Sequence, residues 1–310
     1  MGNLPIFPTD RKRRMTQIIA SLADLGPRYD AVFCDLWGCL HNGKTPFPAA
    51  VTALQGFRAR GGRVLLLTNA PRPRASVIAQ LDAMGVPRDA WDEVVTSGDA
   101  TQSAMLSGAV GRRVYFIGAD KDEPFFTSFA EDLAEIAARE APITKVPLAE
   151  AEGIICTGLA DDQTETPDDY RAILMQAKLD DLPMLCANPD IIVDFGDKRL
   201  YCAGALAAEY EQMGGTVYYF GKPHAPIYDL ARRRLASLTG LKDPAILCIG
   251  DGIATDVQGG MSEDLDTLFV TGGIAAAEFG PDAANPDAAL LEAWLQSLSM
   301  APTYSIGHLR

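Results

Sequence analysis

The sequence predicts an α/β protein, a doubly wound parallel-sheet core interrupted by an inserted α/β cap, and three observations carry that prediction. Short apolar runs alternate with amphipathic segments of about 10 to 18 residues along almost the whole chain, the pattern of βαβ units. Four of these runs end on polar residues, where the carboxyl ends of parallel strands place their ligands. From about Arg113 to Tyr201 the rhythm starts again without that polar set.

In chain order, the basic cluster Arg11-Lys12-Arg13-Arg14 opens a stretch from Met15 to Leu25 that reads as a helix before Gly26-Pro27. Ala31-Val32-Phe33-Cys34 is a buried strand that stops on Asp35 and enters the turn Leu36-Trp37-Gly38-Cys39-Leu40. A loop with Gly43, Pro46 and Pro48 precedes a helix from Ala49 to Arg60, ended by Gly61-Gly62. The strand Val64 to Leu67 runs into Thr68-Asn69, and Pro71-Arg72-Pro73-Arg74 leads to a helix from Ala75 to Met84 closed by Gly85. The strand Glu93 to Val95 and the helix Ala100 to Leu106 complete the first part of the core. The inserted unit has strands at Val114 to Ile117, Gly153 to Cys156 and Met184 to Cys186, the last entering the polar turn Ala187-Asn188-Pro189-Asp190. A helix from Ala203 to Met213 then leads to Val217 to Phe220, read as a core strand that delivers Gly221-Lys222-Pro223. Ala245 to Ile249 ends on Gly250-Asp251-Gly252. The core is therefore expected at residues 1–108 and 204–310, and the cap at 109–203.

Composition narrows the partners. A length of 310 residues allows about two domains, and 48% hydrophobic content is enough for packed cores. A net charge of −14 disfavours nucleic acid and anionic membrane, because binding a phosphate backbone needs a positive field. No stretch approaches the roughly 18 apolar residues of a membrane helix, and no apolar signal core follows the N-terminal basic cluster, so a cytoplasmic protein is expected. A homodimer is left open. Cys34, Cys39, Cys156, Cys186, Cys202 and Cys248 form no CxxC pair, which suits reduced thiols, four of them inside apolar runs.

The four strand ends bring together an Asp, a Thr-Asn, a Lys and a second Asp, the ingredients of a phosphate and divalent-metal site. Phosphoryl transfer needs a nucleophile, a metal to neutralise phosphate charge, and donors for the phosphoryl oxygens. Asp35 can form an aspartyl-phosphate, while one of its oxygens and Asp251 hold Mg²⁺, a hard cation that takes a few carboxylates with water and substrate oxygens. Thr68 and the Asn69 amide can bind the phosphoryl group, and Lys222 sets a fixed positive charge beside it. Gly250 and Gly252 allow close backbone approach, and Asp256 is placed to support the ligands from behind. Arg72 and Arg74, with guanidinium forks that match anions, are candidate substrate contacts from the core; Asn188 and Asp190 are candidates from the cap.

With those residues in that order, the chain resembles the haloacid-dehalogenase-like hydrolase superfamily. Its four ordered motifs match Asp35, Thr68, Lys222 and Gly250-Asp251-Gly252-Ile253-Ala254-Thr255-Asp256. The long insertion between the second and third motifs, with Leu67-Thr68-Asn69, Ala187-Asn188-Pro189-Asp190 and Gly221-Lys222-Pro223, makes it similar to the class II branch of ribonucleotide, nitrophenyl and pyridoxal phosphatases. The resemblance spans residues 29–275 and implies a Rossmann-like core, a mobile cap, Mg²⁺ and hydrolysis of a small phosphorylated metabolite. It further implies a third metal ligand, the backbone carbonyl of Trp37.

The same position carries the departure from the family. Phosphatases of this superfamily place a second Asp there, to protonate the leaving group and activate water, and this chain has Trp37. A positioned acid–base group is worth about 10²–10⁴-fold in rate, so alkyl esters should be poor substrates unless His41 or another group substitutes. An acyl, enol or aryl phosphate would not need the acid. Two alternatives follow: a non-catalytic module that binds a phosphorylated ligand, and a metal-independent dehalogenase, against which Asp251 and Asp256 argue.

Overall fold

The computed structural model describes residues 15–195 and 198–310; the basic cluster Arg11 to Arg14 lies outside them. Its strands are β1 (Gln17–Ile18), β2 (Ala31–Cys34), β3 (Arg63–Thr68), β4 (Glu93–Thr96), β5 (Arg113–Ile117), β6 (Thr144–Lys145), β7 (Gly153–Cys156), β8 (Met184–Cys186), β9 (Ile192–Phe195), β10 (Lys198–Tyr201), β11 (Val217–Tyr219), β12 (Ile246–Gly250), β13 (Asp266–Val270) and β14 (Tyr304–Ile306). Seven of them form an all-parallel sheet in the order β1-β14-β13-β12-β2-β3-β4. From β2 the chain winds outward through β3 and β4, then returns to β12 on the other side of β2 and winds out again. The reversal lies between β2 and β12, where open α/β sheets bind ligands at the strands' carboxyl ends.

Alternation along the strands fills both faces. Val32, Val64, Leu66 and Val94 pack against Leu54 and Phe57 of the helix Pro48–Ala59 and Leu81 of the helix Arg74–Ala83. Phe33, Leu65, Leu67 and Val95 point the other way, onto Ile227, Tyr228, Leu230 and Leu235 of the helix Ala225–Thr239. Buried parallel strands have no wet face, which is why they appear in the sequence as unbroken apolar runs.

The inserted strands form a separate all-parallel sheet in the order β11-β8-β7-β5-β6, and β9 and β10 pair as an antiparallel hairpin. One face of the second sheet takes Leu174 and Ala177 of the helix Arg171–Leu179 and Leu206 and Tyr210 of the helix Ala203–Gln212. The other face, with Val114, Ile155 and Leu185, packs on Phe125, Leu133, and Met105 and Leu106 of the core helix Ser97–Leu106. Polar ties reinforce that junction. Gln102 Nε2 donates to the carbonyls of Phe125 and Ser128, and Arg234 bridges Asp99 at 2.7 Å and Asp132 at 3.1 Å.

Two expectations are corrected. Val217 to Phe220 is not a core strand: Val217–Tyr219 pairs with Met184–Cys186 at the edge of the second sheet, and the helix Ala203–Gln212 packs there too, so the second sheet extends past residue 203. The half-exposed edge position, with Tyr218 45% exposed, explains how a strand so short and aromatic is tolerated. The stretch Met15 to Leu25 is not a helix. Gln17–Ile18 pairs with Tyr304–Ser305, and a 3₁₀ segment, Leu22–Arg28, follows from Ser21, whose backbone and hydroxyl both bond the Asp24 carboxylate. Pairing with the chain's distant end overrides the local preference. All six cysteines are buried and free, and among the described residues no helix is long and apolar enough to cross a membrane.

Candidate active site

The site is built at the ends of β2, β3 and β12. Asp35 follows β2, and its N–H donates to the Ile249 carbonyl of β12 at 2.8 Å, which ties the two strand ends together. The loop beyond is fixed by Leu40 and His41 N–H bonds to the Leu36 carbonyl and by Gly38 N–H to the His41 carbonyl. Gly38 has φ +71°, and a Cβ there, or on Gly273, would collide with the Asp251 carboxylate. Asp251 follows β12 and is buried; its Oδ2 accepts the Ile274 N–H at 3.0 Å, the one hydrogen bond it receives among the described residues.

Lys222 sits in the middle. Its buried ammonium donates to Asp35 Oδ1 and Asp256 Oδ1, each at 2.6 Å. Asp256 lies in a single π-helical turn, Ile253–Val257, and its Oδ2 accepts the Gly252 N–H at 3.1 Å. Helical turns of this kind recur at functional sites because they re-aim one side chain. Burial works against the Lys222 charge, but the Asp256 and Asp35 carboxylates outweigh it and hold the ammonium protonated. Burial pushes Asp35 above the usual carboxylate range, with Lys222 opposing. Asp251 is driven well up by burial and by the Asp35 and Asp256 charges, and Asp256 is raised to about 6 by burial and Asp35. Three carboxylates around one ammonium leave a net charge of −2 when all are ionised, which a divalent cation would cancel.

The donor set fits such a cation. Among the described residues, Asp35, Cys39 and Asp251 each bring one ligand atom to within 4.8 Å of the others, and Asp251 keeps one oxygen without a protein donor. Cys39 was not anticipated from the sequence; it looks like any of six thiols until the turn at Gly38 aims it back.

Thr68 closes β3, buried, with its hydroxyl accepting from the Ala70 N–H at 3.2 Å. The side chain of Asn69, a candidate phosphate contact, is engaged as a clamp. Its Oδ1 accepts the Lys222 N–H at 2.7 Å, and its Nδ2 donates to the Lys222 carbonyl at 3.0 Å and to Asp190 Oδ1 at 2.8 Å. The side chain has no donor left for substrate. Asp190, an acceptor only, fixes which way that amide faces, and Asn188 Oδ1 in turn accepts the Asp190 N–H at 3.0 Å. These two cap-side candidates therefore brace Lys222 through Asn69. Gly221 is required because a Cβ would crowd Asn69 Oδ1, Pro189 and Ser97 Oγ at 2.5–2.7 Å.

The Arg74 guanidinium is engaged by Glu93 at 2.9 Å, and its N–H donates to Asp99. Arg72 bonds Gln80 at 2.5 Å; burial lowers its pKa and the cap carboxylate Asp122 acts against that. The Trp37 indole lies edge-on to the His41 ring, centroids 5.4 Å apart, and covers Gly43, where a Cβ would strike it. His41 is 1% exposed, and its Nδ1 accepts the Gly43 N–H at 3.0 Å. Burial lowers its pKa to about 4, so at neutral pH it is an uncharged structural ring. His224 stacks on Tyr219 with centroids 4.9 Å apart.

Comparison with known proteins identifies the family and the fold. Residues 32–129 match a family model described as haloacid dehalogenase-like hydrolase, and residues 219–295 one described as HAD-hydrolase-like. A hydrolase of the haloacid dehalogenase-like family from Brucella suis is 41% identical, with a TM-score of 0.80, covering 94% of this chain and all of that one. A 5'-nucleotidase from Bacillus subtilis is 24% identical over 256 residues, 82% of this chain and 91% of its own. A glycerol phosphate phosphatase from Mycobacterium tuberculosis, solved in complex with magnesium, shares the fold at 23% identity and TM-score 0.62, covering 94% of this chain and 77% of that one.

Proposed function

The chain belongs to the haloacid dehalogenase-like hydrolases, and from that premise we propose that it is a phosphatase for a small phosphorylated metabolite with a good leaving group, acting through an aspartyl-phosphate on Asp35. The observation that carries the reading is the arrangement at Asp35: Lys222 holds Oδ1 at 2.6 Å, which leaves the other oxygen to attack. Asp35, Asp251 and the Trp37 carbonyl would hold Mg²⁺, which supplies charge neutralisation for the phosphoryl oxygens.

The rest is done by the chain's own residues. Lys222 and the Thr68 hydroxyl bind phosphoryl oxygens, and Asn69, oriented by Asp190, fixes the Lys222 backbone. The free Asp35 oxygen attacks phosphorus, the bond to the leaving-group oxygen breaks, and that oxygen departs as an anion because Trp37 offers no proton. Water then attacks phosphorus, its proton passing to solvent, and the bond to Asp35 breaks, releasing phosphate. The inserted α/β unit acts as the cap, with its loops excluding bulk water from the reaction. The carboxylate set around Lys222 favours this over attack on carbon, which needs no metal.

A phosphate-release assay over aryl, acyl and alkyl phosphates in Mg²⁺ tests the reading. Aryl and acyl phosphates should turn over at least about 100-fold faster than sugar or nucleoside monophosphates, and Asp35→Asn should abolish all release. Equal rates on alkyl esters, or activity surviving Asp35→Asn, would sink it.

A further inference from the structure

We propose that Cys39 makes the cation site a mixed oxygen–sulfur site, which takes Zn²⁺ or Co²⁺ more tightly than Mg²⁺. The inference rests on the metal reading above and deepens it. Three observations carry it. Cys39 Sγ stands within 4.8 Å of ligand oxygens of both Asp35 and Asp251. The side chain is 1% exposed, and among the described residues no hydrogen bond is made by its sulfur, whereas the neighbouring Cys34 Sγ is spent on the Asp35 carbonyl at 3.2 Å. The loop that carries it is tied down by hydrogen bonds to the Leu36 carbonyl and turned by Gly38 at φ +71°.

The bland alternative is a thiol packed as a small apolar group, and Cys39 does touch the apolar cluster beneath the loop. Apolar packing alone does not explain a sulfur within 4.8 Å of two carboxylates. Zinc–sulfur bonds of about 2.3 Å and zinc–oxygen bonds of about 2.0–2.2 Å put tetrahedral ligand atoms roughly 3.3–3.7 Å apart, so a contraction of at most about 1.5 Å would seat one ion on all three. Mg²⁺ gains nothing from sulfur; it keeps octahedral oxygen ligands and several waters. Divalent Co and Zn stand above it for thiolate-containing sets, and two carboxylates with a thiolate are three protein ligands with a fourth position open. As the metal–sulfur bond forms, the thiol proton leaves to solvent.

Co²⁺ is the probe, because cobalt–thiolate complexes give a charge-transfer absorption in the near ultraviolet that oxygen-only sites lack. The whole protein should show that band at one Co²⁺ per chain, lose it on Zn²⁺ addition, and lose it in Cys39→Ser and Cys39→Ala. Zn²⁺ affinity should fall at least about tenfold in both variants while Mg²⁺ affinity stays within about threefold; retained Mg²⁺ binding also shows that the variants are folded. Mg²⁺ binding with an oxygen-only cobalt spectrum in the wild type would overturn the role of Cys39 and leave the phosphatase reading intact. No binding of any of the three cations would overturn the metal site, and this inference with it.

Discussion

Replacing Lys222 by Met tests whether one ammonium holds the site together. Methionine keeps most of the buried stem and removes the charge from between two carboxylates, each 2.6 Å away, with side-chain exposures of 3% for Lys222, 11% for Asp35 and 7% for Asp256. Taking one partner out of a buried ion pair costs about 3–5 kcal/mol, because the other charge is left without compensation. Here two are left, and they limit the loss by taking up protons. The cost must therefore depend on pH, and the sign follows from the carboxylates. Asp35 and Asp256 are raised above the ordinary 3.8, Asp256 to about 6, so the folded protein binds more protons than the unfolded chain between those values. Stability falls as pH rises through that window. Lys222 opposes the rise at both residues, so without it their pKa values climb further and the loss extends to higher pH. Lys222 itself is raised above 10.5, so its contribution is fully present throughout and is lost only in strong alkali. Urea unfolding in metal-free buffer should show Lys222→Met about 3–5 kcal/mol less stable near pH 8 and much closer to wild type near pH 5. A deficit under about 1 kcal/mol near pH 8, or one larger near pH 5, would refute the ion-pair account.

Other consequences are open to direct measurement. An aryl phosphate should give a burst of leaving group approaching one per active site before the steady state, since water attacks the aspartyl-phosphate without a positioned base; linear release from the first turnover would count against it. Asn69→Ala should lower kcat about 10–100-fold by freeing the Lys222 backbone, with Asp190→Asn producing a smaller loss in the same direction; an effect on KM alone would make Asn69 a substrate contact after all. Arg74→Ala should cost about 1 kcal/mol of stability and leave kcat/KM within about twofold, and a tenfold rise in KM at unchanged stability would return it to the site.

What the sequence revealed, and what it concealed, follows from the range of the interactions. Asp35, Thr68, Lys222 and Asp251 were readable because each stands at or just beyond a strand end, and buried parallel strands leave an apolar run that marks where they stop. The partners of those residues were not. The Asn69 side chain looks like a phosphate donor until the carbonyl and N–H of Lys222, 153 residues away, engage it. Arg74 looks like an anion contact until Glu93 pairs with it across a strand. Cys39 is one thiol of six until Gly38 turns the chain. In each case the deciding contact comes from a segment distant in sequence or from one backbone angle, and neither leaves a local pattern.

The misplaced strand carries a functional consequence. Lys222 comes three residues after β11, which belongs to the cap's sheet, yet its backbone is held by Asn69 of the core and its ammonium by Asp35 and Asp256. The edge strand of the cap's sheet therefore leads directly into the ammonium that the core carboxylates hold. The cap is also fastened at its other end, where Gln102 and Arg234 bond across the junction and Met105 and Leu106 pack into the cap's own apolar layer. A free swing of the whole cap would have to break the Asn69–Asp190 bond and drag Lys222 from two carboxylates, at a cost of several kcal/mol for the ion pairs alone. The hairpin β9–β10 and the Asp161–Glu165 turn, joined by the Lys198–Gln163 hydrogen bond, share none of those ties among the described residues.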